Sequence, residues 1–512
     1  MVDTANSDAA NSDATANGEI VRTDVPARLD RLPWARWHWL IIIGLGTVWI
    51  LDGLEVTIVG NLSGQLAKAG SGVHITASQV SGFGAASYVA GACVGALFFG
   101  WLTDRFGRKK LFMITLGVYL AATAATALSF SSWWFFLFRF LTGLGIGGEY
   151  AAINSAIDEL IPARHRGRVD LAINGTFWLG AAIGAVVTIP VLNDFPVNVG
   201  WRLAFGLGVV LGLVILLVRR NVPESPRWLF IHGRGREAEE LVGGIEQRIE
   251  QQTGERLEKP DRFISIRQRR SIGLWTIVRT LFARYPKRSI LGLSLFIGQA
   301  FLYNAVTFGF AQILETFFKV PSGSTGWYYL MIAGGNLLGP LLLGPLFDTV
   351  GRRPMIAGSY LLSGLLLLGT AWLFHTGVLG ALSLTLCWCV VLFFASAGAS
   401  AAYLTVSEVF PMETRALAIA VFYAVGTAAG GITGPLLFAK LVGTGKVGDT
   451  VLAFTVGAIL MILAGLVEAA IGVKAERRSL EDLATPLTAE PSDSGAPHQP
   501  GTRTDGSGLA TV

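Results

Sequence analysis

Two acids stand in an otherwise apolar run. The stretch "TVWILDGLEVTIVGNL" (47–62) carries Asp52 and Glu55 three positions apart, on one face if the run is helical. A second apolar run, "WWFFLFRFLTGLGIGGEY" (133–150), contains Arg139 and ends at Glu149. Ionisable groups inside hydrocarbon are costly, so they pair with one another and mark substrate or proton pathways. A carboxylate beside a guanidinium can be protonated and release its partner, which is the elementary step of proton coupling. The plainer alternative is a static ion pair that locks two helices together. Glu149 lies about 15 Å further along its helix than Arg139. As an acid in an apolar run it is a candidate for a proton pathway, and part of a gate is the alternative.

The elements that position these residues follow from composition. Of 512 residues, 52% are hydrophobic and 15% are charged, mean hydropathy is +0.55, and 63 are glycine. Soluble proteins carry about 25% charged residues, so an ordinary water-soluble enzyme is excluded. None of the six histidines groups with Cys or Asp, so neither a metal nor a cofactor is expected, and catalysis is not either. Cys93, Cys387 and Cys389 lie in apolar runs and read as packing residues. A helical span needs about 20 apolar residues. Spans are expected near 39–60, 79–101, 111–130, 133–155, 171–193 and 201–219, then near 289–312, 327–347, 356–376, 380–404, 416–439 and 450–473. The implied fold is an all-α integral membrane protein of twelve spans. Its parts are a disordered tail (1–36), a six-helix bundle (37–219), a central loop (220–287), a second six-helix bundle (288–473) and a disordered tail (474–512).

An even span count puts both tails on one side. That side, counted with every second loop, holds 34 of the 40 Lys and Arg residues. Basic residues mark the cytoplasmic face, so both termini are expected in the cytoplasm of a plasma (inner) membrane. The net charge of +5 reflects this topology, and no nucleic-acid partner is expected. The halves also repeat. "GWLTDRFGRKK" (100–110) is echoed by "GPLFDTVGRRP" (344–354), and "ELIPARHRGR" (159–168) by "EVFPMETRAL" (408–417). Glu159/Glu408 and Arg166/Arg415 fall in register. Repeated six-span halves are an architecture of secondary transporters, with the site near the midplane between them. The G-x-G-x-x-G of Gly143, Gly145 and Gly148 lies inside an apolar span rather than after a strand. It therefore reads as close helix packing and not as a nucleotide fingerprint.

"GWLTDRFGRKK" closely resembles the loop signature of the major facilitator superfamily, and "RFLTGLGIGGEY" (139–150) its fourth-span motif. "PESPRWL" (223–229) is similar to the end of span six in sugar-porter-like members. The resemblance covers roughly 36–475. It implies a conformational gate built from Gly100, Asp104, Arg105, Gly107 and Arg108, repeated by Asp348, Gly351 and Arg352, with Glu159, Arg166, Glu408 and Arg415. It also implies that 235–254 forms short amphipathic helices at a cytoplasmic gate. Glu55 matches the first-span acid of proton-coupled sugar porters, and Asp52 a further acid of phosphate and organic-acid symporters.

Depth supports the pairing. Glu55 lies roughly 24 Å up an outward-running helix and Arg139 about 20 Å up an inward-running one, within a core of roughly 30 Å. In span seven, "GQAFLYNAVTFGF" (298–310) partly resembles the sugar porters' Q-Q-x-x-G-x-N motif at Gln299 and Asn304. Gln299, Tyr303, Asn304 and Tyr403 are the candidate substrate contacts, and helix packing is the alternative role. Gly298, Tyr403 and the lack of P-E-T-K-G after span twelve depart from the sugar pattern. The expected function is therefore proton symport of a small polar metabolite by a monomer, with an organic or aromatic carboxylate favoured. In that scheme Arg139 alternates between Glu55 and the anion. The alternatives are a sugar or polyol symporter, a uniporter or exporter, and a transporter-like sensor.

Overall fold

The computed structural model describes residues 20–219, 223–258, 260, 263–267, 274–411, 415–476, 478 and 480–484. Among these, eleven helices are long and apolar enough to cross a membrane. A further 29-residue helix, Ser132–Leu160, packs among them. In chain order the elements are β1 (Ile20–Thr23), α1 (Val25–Asp30), α2 (Arg36–Leu66), α3 (77–106), α4 (Arg108–Ala127), α5 (Ser132–Leu160), α6 (Arg166–Asp194) and α7 (Val197–Arg219). They continue as α8 (Pro226–Ile231), α9 (Gly235–Thr253), β2 (Ile264–Arg267), α10 (Leu274–Arg284), α11 (Pro286–Phe318), α12 (Thr325–Thr349), α13 (Arg352–His375), α14 (Ala381–Val409), α15 (415–443), α16 (Val447–Ile471) and α17 (Leu480–Leu483).

Glycine sets the helix spacing. A Cβ on Gly53 of α2 would lie 1.8 Å from the Phe177 carbonyl oxygen of α6, and one on Gly180 of α6 1.8 Å from that of Ile50. In the glycine-rich motif, a Cβ on Gly143 would lie 1.9 Å from the Tyr88 carbonyl oxygen of α3. One on Gly145 would lie 2.7 Å from the Tyr119 nitrogen of α4, and one on Gly148 2.5 Å from the Phe99 side chain of α3, so these glycines pack helices closely. The pairings of the first half (α2 with α6, α3 with α5, α4 with α7) recur in the second as α11 with α15, α12 with α14 and α13 with α16. Contacts of α3 with α15 and of α6 with α12 join the halves. Two glycines with left-handed backbone make the repeated turns, Gly107 (φ +90°) before α4 and Gly351 (φ +117°) before α13.

Two expectations need correction. Residues 20–36, placed in a disordered tail, are built into the molecule. Strand β1 pairs antiparallel with β2, Thr23 opposite Ile264, so the described chain is not wholly helical. Arg28 donates to Glu246 (3.0 and 2.5 Å), Arg31 also meets Glu246, and Arg166 approaches Asp30 at 3.5 Å. These partners lie over a hundred residues away in the sequence, so the segment's own composition does not reveal them. They belong to α9, whose Ala238, Val242, Ile245 and Ile249 form the buried face of an amphipathic helix, and to the start of α6. Residues 474–484 also depart from the expected tail. Leu480 and Leu483 are buried, and the Leu483 carbonyl accepts from Arg288 at 3.0 Å.

Candidate functional site

A cavity of about 130 Å³ lies between the halves. Helix α2 supplies Trp49 and Asp52 from one face, α3 supplies Tyr88, α5 supplies Tyr150, and α6 supplies Asn174, Phe177 and Trp178. From the second half come Gln299, Tyr303 and Asn304 of α11, Ser396, Ser400 and Tyr403 of α14, and Tyr423 and Thr427 of α15. An apolar cavity of about 150 Å³ holds a benzene, so this one suits a single ring. Eight aromatic side chains surround the polar groups. Trp49 and Tyr150 stack at 4.8 Å, and Tyr150 meets Tyr423 edge-on at 4.7 Å.

The two acids of α2 have different partners. Asp52 reaches the cavity and accepts from the hydroxyls of Tyr88 and Tyr150. Glu55, one turn on, is fully buried and pairs with the buried Arg139, with Tyr119 donating at 3.5 Å. Neither member of this pair lines the cavity. The Tyr88 ring lies under the Arg139 guanidinium at 4.5 Å and itself faces the cavity. The expected hand-over of Arg139 from Glu55 to an anion therefore lacks direct access in this conformation. Glu149 neighbours Tyr150 in sequence but points to α4, where Thr115 donates to it at 3.1 Å, and it too stands off the cavity.

The four candidate substrate contacts all line the cavity. Tyr303 donates to Asn336 at 3.1 Å, and the Asn304 amide donates to the Ala300 carbonyl at 2.9 Å, so both side chains are held in place. Beside them α15 takes a π-helical turn, Ala428–Ile432, where a Cβ on Gly430 would lie 2.5 Å from the Ile297 carbonyl. Such turns recur at functional sites. Helix α3 has a second, Val80–Gly84.

The halves touch at both ends of the cavity. At one end Ser81 donates to Gln312 at 3.3 Å, and Gly60 packs on the Thr307 carbonyl. At the other, the buried Arg352 binds Asp348 (2.8 Å) and Glu408 (3.1 Å), and the Arg168 amide donates to Asp348 at 2.9 Å across the halves. Gly100 faces Ala420 there, so closely that a Cβ on the glycine would lie 3.0 Å from the Ala420 methyl. Glu224 accepts the Arg108 amide (2.9 Å) at the start of α4, and Glu476 accepts the Arg352 amide (3.4 Å) at the start of α13. Glu476 thus caps the second half although P-E-T-K-G is absent. Arg105 does not join this contact; it is exposed and lies over the Trp101 and Phe106 rings of its own helix. Arg166 faces α1, and Arg415 is buried at the start of α15. The side chains of Asp104 and Glu159 lie outside the described residues. Sequence reasoning missed Trp49, Tyr88, Tyr150, Asn174 and Tyr423. Only Tyr150 carried a signal, as the last residue of the quoted "GGEY".

Residues 38–482 match the family model described as "Sugar (and other) transporter". The niacin transporter NiaP of Acinetobacter baylyi is 29% identical over 340 residues, 65% of this chain and 73% of that protein. The 4-hydroxybenzoate transporter PcaK of the same organism is 27% identical over 350 residues, 67% of this chain and 72% of that protein. Among solved structures, that of the proton:xylose symporter XylE, from E. coli, superposes with a TM-score of 0.70 at 20% identity, covering 87% of this chain and 98% of that one.

Proposed function

The chain belongs to the sugar (and other) transporter family of the major facilitator superfamily, and from that membership we propose a twelve-span, proton-coupled symporter of a small uncharged ring solute, of the sugar or polyol type. One observation carries the solute class. Amides and hydroxyls from Asn174, Gln299, Asn304, Ser396 and Ser400 line the cavity, with Asp52 as acceptor and no Lys or Arg among the described lining residues. An anion bound there would lie beside a carboxylate without a counter-charge, which low dielectric penalises. The neutral solute instead meets donors, acceptors and stacking faces. Glu55 and Arg139 form the coupling pair. The end carrying Arg352 and α9 is assigned to the cytoplasm by the distribution of basic residues.

A second reading is an aromatic carboxylic acid that enters with its proton. The eight aromatic side chains favour it, as do relatives named for niacin and 4-hydroxybenzoate. A thermal-shift panel on purified protein decides between them. Xylose, other pentoses and polyols should raise the melting temperature while nicotinate and 4-hydroxybenzoate do not. Stabilisation by the two acids alone overturns the neutral-solute reading.

A further inference from the structure

Glu468 lies in the last turn of α16, fully buried, and neither carboxylate oxygen has a hydrogen-bond donor among the described residues. It does not line the cavity, and of the motifs quoted above it neighbours the repeated loop through Arg353. A buried carboxylate without a donor among the described residues is costly, and taking up a proton removes that cost. Its position on the helix acts in the same direction, because the C-terminal end of a helix carries partial negative charge.

The groups around it are otherwise committed. Arg353 of α13 is the charged group whose field reaches Glu468. Its guanidinium, however, donates to the carbonyls of Ala469 (3.1 Å) and Ala470 (3.3 Å). The Tyr360 hydroxyl, also on α13, donates to the Leu295 carbonyl at 2.9 Å. On α11, Arg288 donates to the carbonyls of Val409 and Leu483. Past the helix end, Lys474 is exposed and Glu476 accepts the Arg352 amide. A Cβ on Gly472 would stand 2.3 Å from the Glu468 carboxyl, which folds back over its own helix end, close to the molecule's surface.

We infer that Glu468 is a proton-binding site separate from the cavity pair, neutral while α13 and α16 pack as seen here and ionised when Arg353 leaves the α16 carbonyls to meet it. The step is a proton transfer from the carboxyl to water, with Arg353 charged throughout. Binding the proton holds the α13–α16 end closed, and losing it loosens that end.

The test needs no substrate, so it stands or fails apart from the solute reading. Full-length protein in lipid nanodiscs is titrated from mildly acid to mildly alkaline pH. Infrared difference spectra follow the protonated-carboxyl band, and amide exchange, corrected for its intrinsic pH dependence, follows 352–358 and 464–472. The expected result is a component of the carboxyl band that fades as pH rises and is missing from Glu468→Gln, while the components of the other buried carboxyls remain. Protection of both segments should fall about tenfold over the same range in the wild type and stay high in the variant. Arg353→Ala, which removes the cation that stabilises the ionised form, should move that component's midpoint to higher pH. A wild-type spectrum without that component, exchange in Glu468→Gln that follows the wild type, or a midpoint unmoved in Arg353→Ala overturns the inference.

Discussion

Glu55 and Arg139 neutralise each other in a place that water does not reach, so the state of one dictates the freedom of the other. Glu55→Gln keeps the shape and removes the titration. It should cut pH-driven accumulation in vesicles at least about tenfold, while solute exchange at equal pH persists. Accumulation at the normal rate would remove Glu55 from the coupling step. Tyr88 gives a second prediction, because its ring separates the Arg139 guanidinium from the cavity. Tyr88→Ala should weaken neutral solutes by about tenfold, or 1.4 kcal/mol, and let carboxylates bind. Calorimetric titration of both classes would show no exchange of preference if Arg139 stays screened. The charged members of the site were legible in the sequence, since a charge in an oily run is conspicuous. Tyr88 and Trp49 were not, because an aromatic residue facing a cavity and one facing lipid look alike in a one-dimensional run.

Helices reveal themselves more fully than their contacts do. Among the described residues hydropathy located the long apolar helices, though not the polar α9, and the helices overrun the apolar runs. Helix α11 continues to Phe318, carrying Glu315 beyond the expected end at 312, because a helix does not stop where the hydrocarbon does. Which faces meet was visible only where glycine recurred. The α2–α6 contact yields a prediction at this scale: Gly180→Ala would place a methyl 1.8 Å from a backbone oxygen, a clash no rotamer relieves. The variant should lose about 1–3 kcal/mol, read as a lowered melting temperature. An unchanged melting temperature would mean that the two helices can part without cost. Gly167→Ala is the contrasting case. Its methyl would fall 2.2 Å from the Arg352 guanidinium and 2.4 Å from Asp348, at a contact between halves rather than within one. It should favour conformations open at that end, seen as faster labelling of a cysteine introduced near Asp348, with little loss of expression.

For the molecule as a whole, residues 20–36 are a clamp on its far middle. Glu246 gives the clamp a pH dependence. Burial raises its carboxyl affinity for protons, but Arg28 and Arg31 outweigh this and hold it below the ordinary glutamate range. A folded value lowered in this way contributes stability above the ordinary range and loses it as pH falls through the lowered value. Amide protection of α1 and α9 should therefore vanish on acidification before the spans unfold, and Glu246→Gln should lack that protection at neutral pH. Protection that survives in the variant would assign the clamp to its apolar contacts instead. Nothing in the first 36 residues announced this partnership, because each half of it is ordinary when read alone. The strand pair also sets a clock on biosynthesis. Thr23 leaves the ribosome about 240 residues before Ile264, its partner. At about 5–20 residues per second, roughly 10–50 seconds pass in which the first bundle enters the membrane with its leading segment unpaired. Closure of the clamp thus reports that the linker has been made and that the second bundle is on its way.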